Sequence, residues 1–138
     1  HVRSRRQRQM CIRDRLAANP QAHLLALTLG AEGAWLLHRN GAQCFAKEAH
    51  PLQVVDTVGA GDSFLAGLLA HLLRQSQTAR VASFAQFVGG LTADACQQAL
   101  RHALASASLC VMEQGCVPPG WAAARAWGEQ HPAAQDPH

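Results

Sequence analysis

The stretch that most constrains this chain is VVDTVGAGDSFLAGLLAHLLR, from Val54 to Arg74. Two β-branched apolar residues lead into a loop holding two glycines and two aspartates, and the loop opens directly into an apolar-periodic segment. Phe64, Leu65, Leu68, Leu69, Leu72 and Leu73 recur at the i, i+1, i+4, i+5 rhythm of one helical face, with Ser63, Ala70, His71 and Arg74 off it. The pattern predicts a strand, an anion-binding turn and a helix that begins at Gly61-Asp62.

At a helix start the first N–H groups have no intrahelical partner, and the macrodipole leaves partial positive charge there. Gly59-Ala60-Gly61 can therefore bring several backbone N–H groups to an anion, because glycine lacks the Cβ that would hold a phosphate away. Asp62 taken alone is a residue that complements the dipole, worth roughly 0.3–1 kcal/mol. Beside a phosphate pocket the same carboxylate would repel the ligand. Such a cost points to a task, such as accepting a proton from a hydroxyl that attacks phosphorus. Asp56 reads equally as a cap of the loop and as a member of the site.

With these residues in view, DTVGAGDSF resembles the C-terminal signature of the ribokinase-like (PfkB) carbohydrate kinases. The resemblance implies that Gly59, Ala60 and Gly61 form an anion hole and that Asp62 is the catalytic base. It also implies ATP as phosphoryl donor, Mg²⁺ bridging the phosphates, and a small sugar as acceptor. The Walker pattern GxxxxGK[ST] is absent, so the chain has no P-loop.

Composition sets the class around this motif. The 138 residues, 49% hydrophobic and 15% charged, suit one globular domain, and no apolar run is long enough to suggest a membrane span. The formal charge of +3 is unevenly placed. Arg3, Arg5, Arg6, Arg8, Arg13 and Arg15 all lie in the first 15 residues, leaving six basic against eight acidic residues in 16–138. The body is thus no nucleic-acid binder by charge. The stretch HVRSRRQRQMCIRDR can be read as a basic arm, an Arg-rich targeting peptide, or sequence foreign to the domain. It lacks an apolar period and changes abruptly at Leu16, so the expectation is a foreign segment over 1–15, a kinase portion over 16–127, and a frayed tail over 128–138. Cys11, Cys44, Cys96, Cys110 and Cys116 are odd in number and form no CxxC pair. They fit free thiols in a cytoplasmic protein, and the scattered histidines fit surface or packing positions.

Along the chain, His23–Leu29 predicts a buried parallel strand ending at the turn Gly30–Gly33. Ala34–His38 and Gln43–Lys47 flank Asn40-Gly41, a strong hairpin signal. Leu52–Val55 lead into the central motif as a strand. After a polar connection over Gln75–Arg80, a helix is expected within Val81–Leu91, and a longer one over Ala95–Met112, capped by Thr92 or Asp94. Leu100, Ala103, Leu104, Ala107 and Val111 line one side of the latter, and its alanines and serines permit close approach to a sheet or ligand. Gly115 and Pro118-Pro119 end that helix, and Trp121–Trp127 suggest a last short one.

The resemblance extends to these flanks. TLGAEG is similar to the family segment that lines the nucleotide site, which places Thr28, Gly30 and Gly33 there; simple turn chemistry accounts for them equally. CVMEQGCVPPGW resembles the family's closing segment, which implies a monovalent cation, K⁺, held by oxygens of Asp56, Val58, Cys110, Glu113 and Gly115. An ordinary helix C-cap is the competing account. Where family members often place a polar residue near the adenine, this chain has Leu104.

The resemblance covers roughly residues 22 to 127 and implies an α/β chain, the C-terminal part of a three-layer α/β/α ribokinase-like fold. VVDTVGAGDSFLAGLL and ASASLCVMEQGCVPP look closest to bacterial fructokinases. The family's sugar-contacting residues, lid and metal-phosphate region belong to an N-terminal half outside these motifs. The implied partners are ATP and a sugar, with a homodimer as the full-length assembly and neither nucleic acid nor membrane. The alternatives are a family member acting on ribose, a keto-deoxy sugar acid or a nucleoside, and a non-catalytic fragment.

Overall fold

The Asn40-Gly41 signal marks the turn of a β-hairpin in the sheet. In the computed structural model, which describes residues 5–136, Asn40 Oδ1 accepts the Ala42 N–H at 3.0 Å and Gly41 takes φ +103. This turn joins β2 (Ala34–His38) to β3 (Gln43–Ala46), antiparallel, with Leu36 opposite Cys44 and Trp35 opposite Phe45. β1 (Leu24–Thr28) pairs with β2 on its other side, with Thr28 opposite Ala34. The sheet is a three-stranded meander, so the expectation of a parallel strand at His23–Leu29 is corrected. A parallel return needs a crossover of a dozen or more residues. Here a tight turn through Gly30–Glu32 reverses the chain, and the Leu29 N–H donates to the Gly33 carbonyl at 2.8 Å.

Period-two alternation sends Ala34, Leu36, Cys44 and Ala46 to one face, where they join the main core. Two long helices supply the rest: α2 (Ala60–Thr78) gives Phe64, Leu68 and Leu72, and α4 (Ala93–Val111) gives Cys96, Ala99, Leu100, Ala103 and Leu104. Thr92 caps α4, its Oγ1 accepting the Ala95 N–H at 3.1 Å. A short helix α3 (Phe84–Gly89), capped by Ser83, lies between them in sequence. The small residues foreseen on α4 serve an approach to α2 rather than to a ligand alone. A Cβ on Gly67 would meet Ser106 Oγ at 2.4 Å and Ala103 Cα at 3.3 Å, and Ser63 Oγ donates to the Ser106 carbonyl at 3.1 Å.

That approach corrects the apolar face read from the sequence of α2. Ser63 and Gly67 are buried with Phe64, Leu68 and Leu72, whereas Leu65, Leu69 and Leu73 are 52, 42 and 47% exposed. The contact is set by where the backbone can come close, and this rotates the buried stripe toward the small side chains. α2 also starts earlier and ends later than expected, running past Arg74 through Thr78. Leu52–Val55 do not form a strand. Val54 and Val55 are each 56% exposed, and the Val55 and Asp56 N–H groups both donate to the Val111 carbonyl at the end of α4. A strand needs a ladder partner, and no described strand lies beside this segment.

Regular structure reaches into both end segments. Arg5–Ala18, within the arginine-rich segment set aside above, form helix α1, with Ile12 buried and part of α1 against β1. Arg39 holds its C-terminal end, donating to the carbonyls of Leu16 and Asn19 at 2.6 Å each and of Ala22 at 2.7 Å. Residues 1–4 of that segment and 137–138 of the expected tail lie outside the described residues. In place of fraying, α5 (Trp121–Gln130) continues past Gly128, where an added Cβ would stand 3.7 Å from Ala105 Cβ, and Ala134 bridges to Lys47 by paired hydrogen bonds of 2.8 Å.

His71 of α2, His102 of α4 and Trp121 of α5 meet as a ring cluster, with His102 4.2 Å from Trp121 and 5.5 Å from His71. The Arg74 guanidinium lies 4.3 Å over the Trp121 ring. Burial lowers the pKa of His71 and, with the positive charge of His71 and Arg74, pushes that of His102 down to about 4. The unfolded chain takes up these protons near 6.5, so the neutral rings contribute stability above that pH, and it is lost as pH falls toward 4.

Two outcomes follow for stability. In denaturant unfolding, Leu68→Ala costs ~2–5 kcal/mol, whereas Leu69→Ala, one residue along the same predicted stripe, changes stability by only about 0.5 kcal/mol. The thermal midpoint drops as pH falls from 6.5 to about 4, and His102→Phe flattens that part of the curve.

Candidate functional site

The motif loop is built on the C-terminal end of α4. With the Val55 and Asp56 N–H groups on Val111, the Asp56 carboxylate turns back on its own loop. Its Oδ1 accepts the Val58 N–H at 2.9 Å, and its Oδ2 accepts the Gly115 N–H at 3.0 Å from the closing segment. These bonds hold the carboxyl pKa below its ordinary value, the Val58 N–H being the largest cause. Asp56 thus ties the motif to the Gly-turn after α4. Cys110 Sγ lies 3.9 Å from the Val58 carbonyl, so Asp56, Val58, Cys110 and Gly115 are brought together, while Glu113 is exposed. Gly115 itself takes φ +76.

Gly59 is the N-cap of α2 at φ +79, the left-handed conformation that glycine adopts without Cβ strain. A Cβ there would fall 2.2 Å from Cys116 Sγ and 2.8 Å from its Cβ. The glycine is required twice, for its backbone and for its space. The Ala60 N–H turns to the Thr57 carbonyl at 3.3 Å, and the first i→i−4 bond of α2 is Ser63 N–H to Gly59 at 2.8 Å. The N–H groups of Gly61 and Asp62 therefore precede the helical ladder, at the positive end of the dipole. Asp62 occupies this first turn with its side chain exposed.

A cavity of about 320 Å³ opens against this helix start. Thr28, Gly30 and Gly33 line it from the turn after β1, and Ala60 and Gly61 line it from α2. Two motifs that the sequence assigned separately thus share one wall-to-wall space. Leu104, Ala107 and Val111 of α4 with Phe64 make its apolar side. Gly30, at φ +59, has open space where a Cβ would stand, whereas Gly33 has a packing cause of its own, since a Cβ there would meet the Ala46 carbonyl at 2.5 Å. Asp62 does not line the cavity but directly follows Gly61, which does.

Glu48 and Ser108 also line the cavity; Ser108 is one of the small α4 residues expected to permit close approach to a ligand, whereas Glu48 was not apparent from sequence. Ser108 Oγ donates to Glu48 Oε2 at 2.8 Å, Trp127 Nε1 donates to the same oxygen at 3.1 Å, and the His50 N–H donates to Oε1 at 3.1 Å. Burial works to raise the Glu48 pKa, but these hydrogen bonds and the nearby His50 outweigh it and hold the carboxyl below its usual range. No local signal marks a glutamate just after a hairpin strand, because its partners come from 60 and 79 residues away.

A family model for pfkB family carbohydrate kinases matches residues 12–123. The chain belongs to that family. Among curated relatives, an uncharacterized sugar kinase, YegV, of Escherichia coli K12 is 48% identical over 48 residues, 35% of this chain and 14% of that protein. Fructoselysine 6-kinase of the same organism is 46% identical over 50 residues, 35% of this chain and 18% of that one. A ribokinase from Giardia lamblia superposes with a TM-score of 0.79 at 16% identity, covering 94% of this chain and 38% of its own. Arabidopsis thaliana ribokinase, solved with ribose and ATP, gives 0.64 at 23% identity over 90% and 34%. Escherichia coli phosphofructokinase-2, solved with potassium, gives 0.64 at 17% over 94% and 35%. These likenesses establish a ribokinase-like α/β fold, of which the chain spans less than two fifths of each neighbour's length.

The packing at Gly59 makes its own forecast. Gly59→Ala lowers unfolding stability by ~1–3 kcal/mol, from left-handed strain and from displacement of Cys116. Adding Cys116→Gly recovers the steric share, which a double-mutant cycle measures as a positive coupling.

Proposed function

We propose that this chain carries the nucleotide and phosphoryl-transfer portion of an ATP-dependent sugar kinase. The observation that supports it is the shared cavity, with Thr28, Gly30 and Gly33 facing Ala60 and Gly61 across one space and Asp62 at its rim. A nucleotide held along the turn after β1 would direct its terminal phosphate to the start of α2. There the Gly59–Gly61 backbone and the helix dipole stabilise the charge that develops on the transferring group.

In this reading a sugar hydroxyl oxygen attacks the γ-phosphorus while its proton passes to the Asp62 carboxylate. The bond to the β,γ-bridging oxygen breaks, and ADP leaves with that oxygen. Asp62 is exposed and so open to a hydroxyl presented from outside the chain. Mg²⁺ supplies charge neutralisation to the phosphates. A monovalent cation such as K⁺ would be held by oxygens of Asp56, Val58, Cys110, Glu113 and Gly115, and the Asp56–Gly115 bond keeps the two loops that carry them in register. Fructose is the favoured acceptor, from the likeness of VVDTVGAGDSFLAGLL to fructokinases; fructoselysine enters as a candidate from a relative's activity. The whole enzyme is read as a cytoplasmic homodimer; among the described residues no helix is long and apolar enough to cross a membrane.

A second reading, that the chain by itself is non-catalytic, is favoured by the exposed Leu65, Leu69 and Leu73 and by the exposed side chains of Val54 and Val55. Both are surfaces that further strands and helices would cover.

ATP-dependent phosphorylation over a panel of fructose, fructoselysine, ribose, a keto-deoxy sugar acid and a nucleoside tests both readings. The chain is assayed alone and joined to the N-terminal portion of a family member. Activity is expected only in the joined protein. There Asp62→Asn lowers kcat by ~10²–10⁴-fold with the KM for ATP nearly unchanged, and near-normal turnover refutes the assignment of the base.

A further inference from the structure

The Glu48 carboxylate is an unusual wall for a cavity read as a nucleotide site. Its side chain is only 13% exposed, it stays ionised, and it would repel phosphate. It must therefore face the end of the ligand away from the phosphates. Its surroundings define what it can still bind. An ionised carboxylate offers about four acceptor positions. Oε2 has taken the Ser108 hydroxyl and the Trp127 indole N–H, and Oε1 has taken the His50 N–H, with His50 Nδ1 3.5 Å away. One position on Oε1 remains. Ser108 has committed its only hydrogen to Glu48, so its oxygen presents lone pairs alone. This corner of an otherwise apolar cavity thus contains acceptors and needs a donor.

We propose that Glu48, fixed by Ser108 and Trp127, accepts a hydrogen bond from a nucleoside donor, the exocyclic amine of the base or a ribose hydroxyl, and thereby sets nucleotide selectivity. The inference rests on the nucleotide reading of the cavity and adds its specificity element. It also supplies what Leu104 lacks, a polar contact for the nucleoside. The preorganisation is built in, because three donors from α4, α5 and the loop after β3 hold the carboxylate before any ligand arrives. A site with a fixed buried acceptor rejects an analogue lacking the donor, since the acceptor is then left unpaired.

The test is calorimetric titration of the 138-residue chain with ATP, purine riboside triphosphate (no amine), 2′-deoxy-ATP and 3′-deoxy-ATP. The unaltered chain is expected to bind one analogue ~10-fold more weakly than ATP, and the analogue so affected identifies the donor. In Glu48→Gln that gap closes to within about 2-fold, while ATP itself weakens toward the deficient analogue. Equal binding of all four to the unaltered chain overturns the assignment, as does a gap that persists in Glu48→Gln. Should Glu48→Gln fail to fold, the Trp127 indole N–H resonance of the unaltered chain decides, because it shares Oε2 with Ser108. It shifts with ATP and not with the deficient analogue if the proposal holds, and an unmoved resonance at ATP saturation refutes it. Failure of the parent reading looks different: none of the four nucleotides binds at all, which removes both.

Discussion

The near-contact of two helix backbones at Gly67 is the constraint on which the remaining arrangement depends. α2 and α4 approach until Gly67 lies where any Cβ would strike Ser106, and the Ser63 hydroxyl closes on the Ser106 carbonyl. Close packing of this kind tolerates little change in volume. With α2 held there, its first turn falls beside the last turn of α4, and the cavity between them opens toward the turn after β1. The position of the α2 start is thus a consequence of small side chains a turn and more farther along.

The end of α4 organises the same region through orphan carbonyls. A helix leaves its last carbonyl oxygens without intrahelical donors, and Val111 uses that vacancy to accept from Val55 and Asp56 together. Asp56 then takes the Gly115 N–H, so the segment entering α2 and the segment leaving α4 are fastened to each other. Gly59 completes the joint by leaving room for Cys116. Helix packing, C-terminal capping and loop closure here are one set of bonds, and the motif inherits its geometry from all three.

The molecule also has surfaces that this chain does not cover. Leu65, Leu69 and Leu73 form an exposed stripe along α2, and the side chains of Val54 and Val55 are exposed as well. The solved neighbours extend well beyond the matched portion. The candidate site is correspondingly asymmetric. The cavity is enclosed by the β1 turn and α4, whereas Asp62, next to it in the first turn of α2, is exposed.

Much of this was legible in local pattern. The DTVGAGDSF string, the Asn40-Gly41 hairpin, the Thr92 cap and the two long helices all follow from turn chemistry, capping and periodicity, which act within a few residues. Periodicity could not tell which neighbour each apolar face would meet. Hence the stripe on α2 was read too broadly, the strand at Leu24–Thr28 was paired in the wrong sense, and Val54-Val55 were made a strand without a partner. The helix within the arginine-rich segment is held by Arg39, and the end of the chain by Lys47, and both anchors are distant in sequence. Glu48 was invisible for the same reason, because a carboxylate becomes a fixed acceptor only when α4 and α5 bring donors to it. By itself the sequence determined the local conformations and the family; which faces are buried, which loops are fastened and which acceptor lines the cavity were decided by tertiary structure, where burial and hydrogen bonding act between residues far apart in the chain.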